Sequence, residues 1–314
     1  TGAPLFAKRF RTGAEGTTFK DRLANKSLLG ADDAQFVAVA SNAEGPMELA
    51  PMPDYYDGKP WWIFVDKNGK ERMALPQQSA LDEIYLCDKW YGLLPDSSLL
   101  DPAGVVKERL DKEKHPPSVL KNFKDTMRAV VKRQDKLRNY YHRNTYAMYG
   151  NGALEAKPTD GNQEAPKLEF SQPDEKLTTW GTVIWQGDIP DGVEEDELNT
   201  AQLVYDDHHG VLKLMVASRI ITLTVQQKAI APKKGERNNG IVKGDGTVPI
   251  FSAEAQARGV TSSLSMVSGK AEGVQMVFVQ GGYEHQFCFD HPWSRWTTLY
   301  SMAQIAHSIK ADIQ

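Results

Sequence analysis

The sequence predicts an α/β protein, and three observations support that class. The first is the order of elements at the C-terminal end. "GDGTVPIFSAEAQA" reads as a turn and short helix, "VQMVFVQ" (274–280) as an apolar strand, and "SRWTTLYSMAQIAHSIKADI" as a closing helix. A nearly continuous apolar strand set between helices is the pattern of a parallel sheet covered on both faces, with its site at the carboxyl ends of the strands. The second is a stripe of Leu120, Phe123, Met127, Val130, Leu137 and Tyr141 near the helical period, after Pro116-Pro117 and with Ser118 placed to cap. The third is bulk composition: 314 residues, 40% hydrophobic and 25% charged, suffice for a sizeable core and exclude overall disorder.

The elements follow in chain order. "LFAKRFRT" (5–12) suits a short helix with Leu5, Phe6 and Phe10 roughly on one side. "AQFVAVAS" (34–41) is a compact apolar run and predicts a buried strand. "WWIFVDKNGKERMAL" (61–75) predicts a hairpin, with Asn68-Gly69 suited to a type I′ turn. "SALDEIYLCDKWYGLL" predicts a helix with Leu81, Ile84, Tyr85, Asp88 and Tyr91 in helical register and Gly92 near its stop. The helix after Pro116-Pro117 should be the longest in the chain. Residues 150–176 are polar and rich in Gly and Pro, and predict a long loop. "TTWGTVIWQGDIP" and "NTAQLVYDDHHGVLKLMVASR" read as strands, the second turning at "DDHHG", and the acidic run 191–198 as a solvated loop. In the closing helix Trp296, Leu299, Met302, Ala306 and Ile309 share one side and predict its core face.

Charge and composition exclude several classes of function. With 37 basic and 41 acidic residues the net charge is -4, which gives no general attraction to nucleic acid. No apolar run approaches the roughly 18 residues that span a bilayer. Two cysteines, Cys87 and Cys288, do not make a disulfide framework. The chain opens at Thr1 on a Gly-Ala-Pro turn with no strand before it and no signal layout, so its start is expected to be a cut edge.

The residues suited to chemistry are Asp245 and His285. A carboxylate that orients an imidazole needs a fixed, shielded position, and the glycines flanking Asp245 permit the tight turn that supplies one. A histidine acting as general base must stand at the tip of a rigid strand, and His285 follows the apolar strand and Gly281-Gly282.

These two segments, "GDGTVPIFSA" and "GGYEHQFCFDHP", resemble the acid and histidine segments of lipase-type α/β-hydrolases, in particular the lecithin–cholesterol acyltransferase-like and GPI-inositol-deacylase-like group. "GAPLFAKRFRTGAEG" and "VAVASNAEGPMELAPMPDYY" resemble, more loosely, the segment after the nucleophile's strand and helix in bacterial members, some of which are antibacterial phospholipase effectors of type VI secretion systems. The resemblance covers about a third of the chain, at its two ends. It implies the C-terminal part of an α/β-hydrolase sheet: a core segment at 1–54, a large inserted cap at 55–235, and a C-terminal core at 236–314 carrying the acid and the histidine. It implies a lipolytic serine esterase with Asp245 as acid and His285 as base, needing no cofactor or metal. Its partners would be a lipid ester, an N-terminal portion of the same hydrolase, an immunity protein, a secretion-machine component and, transiently, a membrane, with action as a toxin in the periplasm of a target cell. The aromatics Tyr55, Tyr56, Trp61, Trp62, Trp90 and Tyr91 would form an acyl pocket or a membrane-facing cap, or simply a packed core.

The serine is missing. No serine stands in Gly-x-Ser-x-Gly, the strand-to-helix elbow such enzymes use. Ser41 alone follows an apolar run, with Val39 where the first glycine should be, and Ser268 falls between acid and histidine, the wrong order. The expected nucleophile therefore lies upstream of Thr1, and the isolated chain should be inactive. Two other readings compete. One is a hydrolase-like scaffold that has lost its nucleophile. The other is a metal site at Asp206, Asp207, His208 and His209, whose adjacent side chains would converge poorly from a strand.

Overall fold

The computed structural model describes residues 2–13, 33–138, 140–142, 144–152, 177–227, 237–255, 273–281 and 284–313. Of the predicted loop 150–176, residues 153–176 lie outside the described residues, as does Ser268. The chain is mixed α/β and divides into two compact units. The first comprises 1–137 and 181–240, the second 138–180 and 241–314.

The first unit is built on a six-stranded, mostly antiparallel sheet. Its strands are β1 (Trp62–Asp66), β2 (Glu71–Leu75), β5 (Val183–Gly187), β6 (Gln202–Asp206), β7 (Val211–Val216) and β8 (Arg219–Val225), in the order β2-β1-β5-β8-β7-β6. Only β1 and β5 run parallel, with Phe64 opposite Trp185. The predicted hairpin forms, but its turn differs. Of its residues only Gly69 takes a positive φ, 78°, and its amide donates to Asp66 O at 2.9 Å. This is a type I turn closed by a left-handed glycine, because Asp66 Oδ1 accepts from the amides of Asn68 (2.7 Å) and Lys70 (3.0 Å) and holds the entry residues right-handed.

Two expectations are corrected in this unit. Residues 34–41 are not a strand: α2 spans Asp33–Ala40. Val37 is fully buried while Val39 is 55% exposed, and only a helix sends residues two apart to opposite sides. Three alanines favour that choice, and a short apolar run does not distinguish the two states by itself. The helix expected over 79–94 is a single wide turn, Leu81–Tyr85. It stops there because Trp90 and Tyr91 fold back onto Phe64, with ring centroids 4.9 and 6.3 Å away.

α1 (Pro4–Thr12) forms as predicted, and Phe6 and Phe10 meet Phe36 of α2 at 6.1 and 5.5 Å. Its buried Arg11 donates to Trp90 O and Gly92 O, both at 3.0 Å, and pairs with Asp206 Oδ2 at 3.1 Å. Those three acceptors, with the Trp185 ring 5.7 Å below, are what permit a guanidinium in a core. The helix Val119–Leu137 also forms, with Ser118 Oγ accepting the Lys121 amide at 3.1 Å and Phe123, Met127 and Val130 buried. Of the aromatics 55–91, Tyr55, Trp61, Trp62, Trp90 and Tyr91 are at most 5% exposed, so they are core.

The second unit holds two small sheets. β3 (Thr145–Gly150) pairs in parallel with β10 (Val274–Gln280), and β4 (Thr178–Trp180) pairs antiparallel with β9 (Ile241–Lys243). The expected parallel character of 274–280 holds, but cover on both faces does not: Val274 is buried, 275–278 are half-buried and Val279 is 45% exposed. The closing helix, Pro292–Ile313, is the longest described, at 22 residues against 19 for Val119–Leu137. Its apolar side is not the core face. Trp296, Leu299, Met302 and Ile309 are 48–67% exposed, while Ser294 and Thr297 are buried.

Candidate active site

The site begins with backbone. After β9, Gly244 and Pro249 bridge across a tight loop that carries Asp245. A Cβ on Gly244 would lie 2.2 Å from Val248 O, and Gly246 takes φ 88°, so the first position needs glycine for space and the second for its backbone angle. Asp245 Oδ1 accepts from the amides of Thr247 (3.1 Å) and Val248 (2.7 Å), and Thr179 Oγ1 on β4 donates to Thr247 O at 3.3 Å. One carboxylate oxygen is thereby fixed, and the other is left to face outward. Pro249 is buried and starts the short helix Ile250–Ala253.

His285 comes to that second oxygen. It begins a 3-10 turn, His285–Asp290, after β10. Two bonds join it to the acid loop: its amide donates to Asp245 O at 2.8 Å, and Nδ1 lies 2.8 Å from Asp245 Oδ2. The Asp245 side chain is 14% exposed and that of His285 47%. With Nδ1 held as donor to the carboxylate, Nε2 is the nitrogen left to take a proton from a nucleophile.

The pair sets its own titration. Burial pushes the Asp245 carboxyl up, but the His285 hydrogen bond, the Val248 amide, the histidine's charge and the Thr247 amide outweigh it and hold it below its usual range. For His285, the hydrogen bond to Asp245 raises the pKa, partial burial opposes, and the carboxylate's charge adds to the rise. The stabilisation from His285 is complete below its unfolded value of about 6.5 and is lost as pH climbs through the raised value. That from Asp245 is complete above about 3.9 and is lost as pH falls through the lowered one.

Asp245 and His285 are thus brought together. The remaining candidates are not presented for chemistry. Ser41 Oγ is buried and donates back to Val37 O at 2.6 Å, which caps the end of α2. Asp206 binds Arg11 and the His208 amide, and Asp207 Oδ1 accepts from His209 and Val211, so the "DDHHG" carboxylates hold a turn together. No group of three or more metal-ligating side chains occurs among the described residues, and no described helix is long and apolar enough to cross a membrane. Cys87 and Cys288 are free thiols. Sequence reasoning missed the Thr247 and Val248 amides, although an aspartate two residues before a turn threonine is an Asx-turn signal. It had no means of finding Thr179.

No family model and no curated protein matches the chain. Among solved structures it is similar to a chain of "The crystal structure of Tle4-Tli4 complex", with 25% identity and a TM-score of 0.65 over 98% of its own length. That match covers 53% of the solved chain, so this chain spans about half the length of its structural neighbour.

Proposed function

We propose that this chain is the acid-and-base part of a lipolytic serine esterase of the phospholipase or lipase type. The observation that carries the reading is the double link between Asp245 and His285, at backbone and at side chain. A glycine-locked carboxylate with one oxygen fixed by amides and the other on Nδ1 is the arrangement that keeps an imidazole aimed and stabilises it once protonated. A serine on a part of the protein outside this chain would give its proton to Nε2 and attack the ester carbonyl. His285 would then return that proton to the leaving alkoxide, and Asp245 would keep its charge throughout. In this reading 236–314 is the C-terminal segment of the hydrolase core and 55–235 the insertion, except that its stretch 138–180 packs with that core through the β3–β10 and β4–β9 pairs.

The structural neighbour supports the same direction. Read as a type VI lipase effector bound to its immunity protein, the Tle4–Tli4 pair agrees with the looser resemblance of the segments at the N-terminal end and supports an immunity protein as a partner. The test is hydrolysis of short-chain esters and phospholipids by this chain, by the longer polypeptide that includes the serine, and by its His285→Ala variant. Activity in the longer polypeptide alone, lost in the variant, is expected. Equal hydrolysis by variant and parent would remove His285 from the chemistry.

A further inference from the structure

The closing helix Pro292–Ile313 is packed the wrong way round for a surface helix. Its most deeply buried residues are small and polar: Ser294 and Thr297 are buried, and Thr297 Oγ1 reaches Met148 Sδ of β3 at 3.5 Å, while the rings of Trp296 and Tyr300 meet Phe278 of β10 edge-on at the margin. Its outward residues are large and apolar, with Leu299 67% and Met302 64% exposed. From Trp296 to Ile309 the sequence has no Asp, Glu, Lys or Arg at all. A helix without charge on any side belongs between two layers, not at a boundary with water. The rings of Trp293, Trp296 and Tyr300 stack along it, at 4.9 and 5.4 Å, and form a continuous aromatic surface.

The sheet beneath it is equally open. Among the described residues β10 pairs only with β3, and a parallel pair of strands is ordinarily part of a larger sheet with both faces covered. Val279 at 45% exposure, and the half-buried residues before it, lack such a cover. A lipid surface would cover the helix, but it offers no hydrogen-bonding strand to the edge of a two-stranded sheet. A further stretch of polypeptide satisfies both needs. The structural neighbour's chain extends well beyond the match, only 53% of it being covered here, so it is long enough to contain such a stretch.

We infer that the outward face of the closing helix (Trp296, Leu299, Met302, Ile309) and the open β3–β10 pair form a docking surface for a further segment of the same polypeptide, which adds strands to the sheet and a layer over the helix. This rests on the proposed function in one respect: the docked segment is taken to be the one that carries the serine. Docking would therefore complete the sheet and deliver the nucleophile in one event.

Hydroxyl-radical footprinting read by mass spectrometry tests this, with three samples: the 314-residue chain, the longer polypeptide, and the longer polypeptide with His285→Ala. In the 314-residue chain Trp296 and Met302 should be modified readily, and in both longer forms only as slowly as the buried Trp62 and Met47. Equal modification in short and long forms overturns the inference. So does protection of the 314-residue chain that appears only on dimerisation, followed by light scattering, which would make a second copy the occupant. Protection appearing only with vesicles of phosphatidylglycerol and phosphatidylcholine would overturn it in favour of a lipid surface. Protection in the His285→Ala form separates docking from catalysis. If that form is protected and still hydrolyses esters, the triad reading falls and the docking surface stands.

Discussion

Tryptophans sit in both units of this protein, all of them buried in the first and only one of them in the second. In the first unit Trp61, Trp62, Trp90 and Trp185 are at most 4% exposed, in contact with one another and with Phe64. In the second, Trp180 on β4 is buried too, at 2%, but Trp293 and Trp296 are 39% and 49% exposed and stack side by side along the closing helix. The first unit has a finished core, and its candidates, Ser41 and the Asp206–His209 turn, have their hydroxyl and carboxylate oxygens bonded to backbone. The second has an unfinished core and holds the whole acid–base pair. The tight packing and the proposed chemistry thus fall in different parts of the chain, and the part proposed to hold the chemistry is the one whose sheet, among the described residues, is two-stranded.

The largest expected effect tests the chemical half of that contrast. Asp245→Asn in the longer polypeptide should lower kcat by roughly 10⁴, as loss of the orienting carboxylate does in a serine triad, and leave urea unfolding of the first unit unchanged. Its pH profile should move too. The base works when neutral, so the raised pKa of His285 places the acid limb of kcat/KM above about 6.5, and the asparagine variant should bring that limb down. A limb that stays in place would detach the histidine from Asp245.

Trp62→Ala comes next and tests the finished core. Its ring is fully buried and its Nε1 donates to Tyr91 O at 3.2 Å, so unfolding of the first unit should weaken by about 3–5 kcal/mol. Chemical denaturation followed by far-UV circular dichroism would measure it. A loss under 1 kcal/mol would mean that the aromatic cluster is looser than its geometry. Ser118→Ala should cost the same unit about 1 kcal/mol through the lost cap on the helix Val119–Leu137.

Leu299→Ser is the smallest effect and the sharpest contrast. In the 314-residue chain, where the side chain already faces water, stability should change by no more than about 0.5 kcal/mol. A loss comparable to that of Trp62→Ala would show that the helix is covered after all, and the difference between the two units would disappear.

Much of this was legible before the structure. The helix after Pro116-Pro117 announced itself because stripe, cap and proline start all agreed. "GDGTVP" was legible as a special turn because only glycine fits at Gly244 and Gly246, and a backbone requirement of that kind leaves a mark on the sequence. What failed was whatever depended on the neighbours. "AQFVAVA" is apolar enough for either state, and its helical form is decided by the Phe6, Phe10 and Phe36 contacts of α1. The stripe of the closing helix was identified as one face, but periodicity says which residues share a side and not what lies opposite. Thr179 enters the site through strand pairing across more than sixty residues, which no local pattern records.

The pairing of β3 with β10 has a consequence for how the protein is made. β3 ends at Gly150, and its partner strand does not begin until Val274. At roughly 5–20 residues per second, a ribosome leaves β3 waiting on the order of ten seconds for the strand that completes it. Meanwhile β5 to β8 emerge and can close the six-stranded sheet. Synthesis in this order lets the first unit close before the second, so Asp245 and His285 meet only after β10 has emerged.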